Sequence, residues 1–459
     1  MKQFDLAVIG GGPGGYSAAE YAAARGKRVV LFEKDQLGGT CLNRGCIPAK
    51  AMLHAGEILT EIRDADRFGI HVGEAEVDFP KIHEEKNRVI GELRRGVEKL
   101  MQTCKVEVVC GSAVITGERT ITCGEETYQA DDIILATGSV PAIPPIPGAD
   151  LPGICTSNEI FEGAGKDFAS IVIIGGGVIG VETACFYLAL GRQVSIIEAQ
   201  SELLPLMDKE IGRRAAMYLK KQAATIFTDA RVTAIEGEEG NFMVHFLDKK
   251  GKEASQSAEG VLISTGRKAC LTGLFGEGTP LPEMERGAIV ADDSLQTSIP
   301  HLYVIGDARY GSMQLAHTAE AEGRNAAAII CGEPAPHDLS VVPACVYTAP
   351  EIATVGLTEA AAKDAGIAVH AVKVVTGANG RSLIAGGESG FVKLVIEEET
   401  GRILGASLVC PRATDLISEI AVAVERKMTV QELVRTIHPH PTFSEMISSA
   451  LLKELERLQ

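Results

Sequence analysis

IGGGPGGYSAAEYAAARGKRVVLFE (9–33) returns as IGGGVIGVETACFYLALGRQVSIIE (174–198), every position displaced by 165 residues. Each copy opens on a short apolar run, passes through G-x-G-x-x-G into a helical run, and closes on a second apolar run that ends in an acid. The glycines are Gly10, Gly12 and Gly15, then Gly175, Gly177 and Gly180; the acids are Glu33 and Glu198. A turn without side chains lets the backbone approach a pyrophosphate, and a helix N-terminus supplies unpaired N–H groups and the positive end of a dipole. The acid closing the second strand can hold a ribose hydroxyl pair. One such motif is often only a glycine-rich turn. Two in register, each with strand, helix and acid, point to two dinucleotide-binding folds.

Two folds imply two dinucleotides. Glu198 is followed by Ala199 and Gln200, with no arginine to accept a 2′-phosphate, which favours NAD over NADP at the second copy. The first copy lies next to a cysteine pair, Cys41 and Cys46, and is assigned to FAD. DIILATG (132–138) and GVLISTG (260–266) are apolar runs that end alike, in Thr137-Gly138 and Thr265-Gly266. They read as strands at whose ends the chain leaves a nucleotide domain. HLYVIGDA (301–308) is another apolar run, ending at Asp307, an acid suited to a cofactor's sugar-like chain or to a plain turn.

Length and charge narrow the class. A chain of 459 residues suggests about three domains. The formal net charge of −17 argues against nucleic acid or an anionic membrane as partner. No run approaches the roughly 20 apolar residues of a membrane span, and no signal or transit peptide precedes the run Phe4 to Ile9. The expectation is a cytoplasmic protein, or one whose presequence has been removed.

The pair stands in GGTCLNRGCIPAK (38–50). A plant-type iron–sulfur run would need a third cysteine at position 49, which is Ala49. Structural zinc needs four ligands, and His54 offers no second pair. Two inert cysteines, or a redox disulfide, remain. A regular helix holds positions i and i+5 about 8–9 Å apart, beyond the roughly 7 Å limit of a disulfide. The 41–46 segment must therefore be distorted, and Gly45 permits this. Pro48 fits only a first helical turn, and AKAMLHAGEILTEI (49–62) reads as helix. The pair would sit at its N-terminus, where thiolates are stabilised. The other nine cysteines read as small apolar core residues, and LLKELERLQ (451–459) as a solvated helix end.

GGTCLNRGCIPAK, the doubled glycine motif and HPHPTFSE (438–445) together resemble the flavin disulfide reductases, most closely the dihydrolipoamide dehydrogenase (dihydrolipoyl dehydrogenase) branch. The resemblance covers essentially the whole chain, including MQLAHTAEAEG (313–323), VPACVYTAPEIATVG (342–356) and GFVKLVIEEETGRILGASLV (390–409). It implies two Rossmann-like domains for FAD and NAD and a C-terminal α+β dimerisation domain. The implied bounds are 1–145 for FAD, 146–268 for NAD, 269–337 for a central segment completing the FAD site, and 338–459 for the interface. Cys41 would be the interchange thiol and Cys46 the charge-transfer thiolate against the flavin. Lys50 would approach the flavin and pair with Glu182. Asp307 would bind the ribityl chain, with Thr137, Gly138, Gly266 and Ala316 also at the cofactor sites. His440, oriented by Glu445, would be the acid–base residue, supplied by the other chain of a homodimer. The residues alone leave His438 and His440 open as a metal pair lacking a third ligand, or as turn residues.

The implied activity is oxidation of dihydrolipoyl groups with NAD as acceptor. The partner would be a lipoyl-carrying domain of a 2-oxoacid dehydrogenase complex or of the glycine cleavage system. The expectation is that no such carrier domain precedes residue 1. Glutathione-type reductases share the cysteine motif but use NADPH, and should show arginines near position 198. Mercuric reductases usually end in a cysteine pair, whereas this chain ends LKELERLQ. A flavoprotein with a docking or redox-sensing task would be favoured by loss of a cysteine or the histidine, and neither is lost. Two departures from the pattern stand out. Ala49 replaces a frequent serine, and Arg44 lies where many relatives carry an apolar residue. Arg44 either adds positive potential for the thiolates or is a surface arginine.

Overall fold

Strands Glu107–Cys110, Val29–Glu33, Lys2–Ile9, Glu126–Leu135 and Leu302–Val304 run parallel as neighbours in the first sheet of a computed structural model. The structure describes residues 1–163, 165–386 and 389–458. Leu6, Val8, Val30, Leu31 and Ile134 of these strands are wholly buried. Parallel strands covered on both faces read as unbroken apolar runs, and each such side chain contributes about 1.5–3 kcal/mol. A hairpin, Ala113–Gly117 with Thr120–Cys123, extends the sheet antiparallel.

The second sheet repeats the plan. Thr225–Phe227, Gln193–Ile197, Ser170–Ile174, Gly260–Ile263 and Ile154–Cys155 are parallel neighbours in that order. An antiparallel meander, Arg231–Glu238, Asn241–Leu247 and Glu253–Ala258, buries Phe242, Val244 and Phe246 against its Val172, Ile174 and Ile197. Just past each Thr-Gly the chain enters one two-stranded ribbon, Ser139–Pro141 against Arg267–Ala269. The two echoes thus mark the way out of the first sheet and the way back.

After the return, Leu302–Val304 joins the first sheet, and helix Ala316–Ile330 packs on helix Pro13–Ala24. Small residues allow that approach, because a methyl group on Gly323 would lie 2.3 Å from the Gly14 carbonyl oxygen. The C-terminal part is an antiparallel sheet ordered Ala344–Val346, Ile352–Gly356, Ile403–Val409, Phe391–Glu397 and Val369–Val375. Helices Ala413–Glu425 and Glu445–Leu458 bury Ile417, Ile420, Ile447 and Leu451 in its core. The second helix departs from the reading of a solvated end. Leu451 and Glu454 are fully buried, and the Glu454 carboxylate pairs with His370 at 2.7 Å and Arg457 at 2.9 Å. Among the described residues no helix is long and apolar enough to cross a membrane.

Candidate active site

The two glycine loops are near copies. The Glu33 carboxylate accepts from Gly11 N (2.7 Å) and Asp35 N (2.9 Å); Glu198 accepts from Gly176 N (2.5 Å) and Gln200 N (2.7 Å). The 165-residue offset therefore survives at the level of single hydrogen bonds. Each third glycine allows a helix to touch a strand end. A Cβ on Gly15 would lie 1.8 Å from Gly10 O, and one on Gly180 would lie 2.1 Å from Gly175 O. The middle glycines do the opposite and face open space: a Cβ on Gly177 meets nothing within 4 Å, and one on Gly12 only Gly39 Cα at 3.8 Å. These are N-cap positions of helices Pro13–Ala24 and Val178–Ala189, so free N–H groups point into a side-chain-free cradle. Gly177→Val should therefore fold and melt as the parent does, yet raise the KM for NAD by about ten-fold or more as the branched side chain fills the cradle. Initial-rate kinetics beside a thermal melt check this, and an unchanged KM would remove the cradle from the second site.

Between the cradles lies the cysteine pair. Cys41 is the third residue of the short helix Gly39–Arg44, and Cys46 opens the long helix Cys46–Asp64. The break falls at Gly45 (φ −135°, ψ −104°), where distortion was required. Only Cys46, not both thiols, takes the helix N-terminus. The neighbouring thiols act on each other's protons in opposite directions, which makes them unequal. Cys41 keeps its proton, its pKa raised by the bond to Cys46 and by burial. Cys46 is lowered to about 7, first by the bond from Cys41 and then, against burial, by the Lys50 ammonium. An ultraviolet titration of reduced protein should thus show one thiolate forming near pH 7 as pH rises and lost below it, absent in Cys46→Ser. A Cys46 thiol titrating in the ordinary range would contradict this asymmetry.

Lys50 lies one helical turn past Cys46, on the same face. Its ammonium pairs with Glu182 at 2.7 Å and sits 4.4 Å from the Tyr347 ring centroid. Glu182, buried on helix Val178–Ala189, also accepts from Tyr347 N at 3.0 Å. One ion pair so ties the thiol helix to the second nucleotide domain and to the C-terminal part. A cavity of about 2200 Å³ runs from Gly12 past Cys41, Cys46 and Lys50 to Gly177 and Glu198. Thr137, Gly138, Gly266, Asp307 and Ala316 line it. Thr137 Oγ1 is buried there without a hydrogen-bond partner in the protein, and the Asp307 carboxylate accepts from Ser139 Oγ at 2.5 Å. Cradles, paired acids and an orphaned hydroxyl in one elongated cavity fit two dinucleotides.

The other candidates lie elsewhere. His440 is outside this cavity and its side chain is 79% exposed; its Nδ1 lies 2.8 Å from Glu445 Oε1. Glu445 Oε2 accepts from Thr442 N, so the carboxylate is fixed and the imidazole Nε2 left open. The histidines do not share a ligand site: His438 is buried against Glu419 at 2.9 Å. Sequence reasoning missed Tyr347 and Arg267. The Arg267 side chain, 12% exposed, lies in the cavity wall, donating to Ser139 Oγ (2.7 Å) and Ser139 O (2.8 Å). Its position straight after the Thr265-Gly266 echo was the available signal. Not every remaining cysteine is core: Cys110 is exposed, and Cys270 and Cys345 line the cavity.

Residues 4–323 match the family described as pyridine nucleotide-disulphide oxidoreductase, and 342–451 match its dimerisation domain. The chain is 38% identical to a dihydrolipoyl dehydrogenase of Bacillus subtilis (strain 168) over 98% of both chains. It is 37% identical to that of Geobacillus stearothermophilus over 96% of this chain and 94% of the other. Among solved structures, LpdA from Mycobacterium tuberculosis superposes with a TM-score of 0.88 at 26% identity over the whole of both chains. The Cu(II) complex of the HOCl-induced flavoprotein disulfide reductase RclA from Escherichia coli gives 0.87 at 27%, covering 99% of this chain and 100% of the other.

Proposed function

The chain belongs to the pyridine nucleotide-disulphide oxidoreductase family, and from that premise we propose that it oxidises dihydrolipoyl groups to the cyclic disulfide, with FAD at the first glycine loop and NAD as acceptor at the second. The observation that carries this is the placement of the cysteine pair, Cys41 before and Cys46 after the break at Gly45, beside the Lys50–Glu182 ion pair and between two dinucleotide cradles.

The chain's own residues divide the work. In the oxidised pair, a substrate thiolate attacks Cys41 Sγ; the Cys41–Cys46 bond breaks, and its electron pair stays on Cys46 as thiolate. Cys46 suits that leaving role because the Lys50 ammonium, one helical turn on, stabilises its anion. The second substrate thiol, its proton taken by His440 Nε2, attacks the first substrate sulfur and expels Cys41. The product leaves as a cyclic disulfide, and Cys41 regains a proton. The chemistry that FAD supplies when bound is the two-electron relay from the dithiol to NAD. Glu445 holds the imidazole by Nδ1, which leaves Nε2 as the base. Glu182 fixes Lys50 against Cys46.

His440 reaches a thiol pair in this scheme from the second chain of a homodimer, joined through the C-terminal dimerisation domain. We divide the chain at about 145, 268 and 337, with the two-stranded ribbon at the first two boundaries. The carrier would be the lipoyl domain of a 2-oxoacid dehydrogenase complex or of the glycine cleavage system, met in the cytoplasm. The test is NADH formation from dihydrolipoamide by the purified yellow protein, with NAD and then NADP. Turnover with NAD alone supports both the substrate and the Glu198 argument. A yellow protein inert to dihydrolipoamide would keep the dithiol and sink the substrate. Preference for NADP would overturn the nucleotide assignment and point to Arg231, which lines that end of the cavity.

A further inference from the structure

Arg44 ends the short helix that carries Cys41, one residue before the break at Gly45. Its guanidinium forms ion pairs with two carboxylates. One is Asp35, just past the first glycine motif's acid; the other is Glu162, whose Oε1 lies 2.9 Å from Nε as an ion pair without hydrogen-bond geometry. Glu162 caps the C-terminus of helix Ser157–Phe161, which follows the edge strand Ile154–Cys155 of the second sheet. The pair therefore crosses from the thiol loop of one nucleotide domain to the other.

The far end of that bridge is itself anchored. Lys86, fully buried, donates to the carbonyls on either side of Glu162, Phe161 O at 2.5 Å and Gly163 O at 3.1 Å. Its third contact is His83 Nδ1 at 3.0 Å, and Asn87 adds a bond to Gly163 O. Lys86 belongs to the long helix Phe79–Thr103. Two turns on, Arg94 of that helix grips the side-chain oxygen of Asn43, at 2.8 and 3.1 Å. Asn43, buried, donates in turn to Leu37 O and Gly39 O. The neighbours Asn43 and Arg44 are so held to one helix by two routes, Asn43 directly and Arg44 through Glu162. The strongest influences on the Cys46 thiol are Cys41, burial and Lys50.

We propose that Arg44 is a positioning residue: its bridge from Asp35 to Glu162 fixes the Cys41–Cys46 loop against the lead-in to the NAD domain. Arg44 then acts through geometry, not through its charge on the thiolates. The inference rests on the function proposed above for its setting, but its test does not need dihydrolipoamide. If that substrate fails, the thiols can still be reduced by NADH and every measurement below can still be made.

The test compares Arg44→Met, Glu162→Gln, their double variant and Arg44→Lys, each checked for bound flavin. A latch makes both single variants behave alike. Backbone amides 39–46 exchange hydrogen faster, and NADH reduces the disulfide about three- to ten-fold more slowly, since small misplacements are costly. The double variant is no slower than the slower single, as two ends of one contact are not additive. Lysine at 44 restores part of the rate. The pH midpoint of the Cys46 thiolate stays where it was. A charge effect gives the opposite pattern: Arg44→Met raises the midpoint, while Glu162→Gln lowers it by leaving the guanidinium less neutralised. That pattern, or a Glu162→Gln variant with parental exchange and rate, would overturn the proposal. Glu162 is half exposed, so its variant tests the latch even if Arg44→Met folds poorly.

Discussion

Cys46→Ser should yield a folded, yellow protein that forms NADH from dihydrolipoamide at least about a thousand times more slowly than the parent, the scale on which losing one member of a concerted set is felt. The reason is local. In the proposed scheme Cys46 leaves as an anion when Cys41 is attacked, and the Lys50 ammonium favours that anion. A serine alkoxide has no comparable stability near neutral pH, and it cannot form the disulfide at all. Cys41→Ser should be equally inactive but not equivalent. It leaves the Cys46 thiolate with a hydroxyl donor and Lys50 beside it, so the thiolate absorbance near neutral pH persists there and vanishes in Cys46→Ser. Electron transfer from NADH to a soluble acceptor such as ferricyanide needs neither thiol and should continue in both variants. A Cys46→Ser protein close to parental activity with dihydrolipoamide would end the dithiol mechanism.

Short-range chemistry was legible before any coordinates. The repeat at 165 residues announced two βαβ units, and Glu33 and Glu198 indeed make the same pair of backbone contacts in each. The mismatch between a helical i, i+5 spacing and a disulfide required a break, found at Gly45. Contacts between distant segments were another matter. Lys50 meets Glu182 from 132 positions away and Arg267 meets Ser139 from 128. No periodicity connects such residues. The first pairing came from family resemblance, and the second was missed. Arg44 shows the same limit: its place in the loop suggested an electrostatic role, but its partner Glu162, 118 positions on, is brought beside it by tertiary packing, with helix Phe79–Thr103 holding the carbonyls on either side of Glu162. Burial of the helix end at Leu451 and Glu454 was hidden because the charged run KELER looks solvated until His370 supplies a partner from the sheet.

His440→Gln should lower dihydrolipoamide oxidation by about 10²–10⁴-fold, the usual worth of a positioned acid–base group, with a smaller loss for Glu445→Gln, which leaves the imidazole present but unguided. The sharper result comes from combining inactive chains. Within one chain His440 is largely in water and lies outside the cavity that holds Cys41, so a base there serves thiols only if a second chain brings them to it. Co-expressed Cys46→Ser and His440→Gln chains, each dead alone, should then regain activity. In a mixed dimer one site takes its thiols from the His440→Gln chain and its histidine from the Cys46→Ser chain, and is whole; the other site lacks both. Random pairing makes half the dimers mixed, so about a quarter of the parental activity should return if the closed two-fold dimer is the working form. If His440 instead served the thiols of its own chain, every site in every dimer would carry one lesion and no mixture would recover. Activity that returned on co-expression but not on mixing the purified proteins would further show that the dimer forms once and does not exchange.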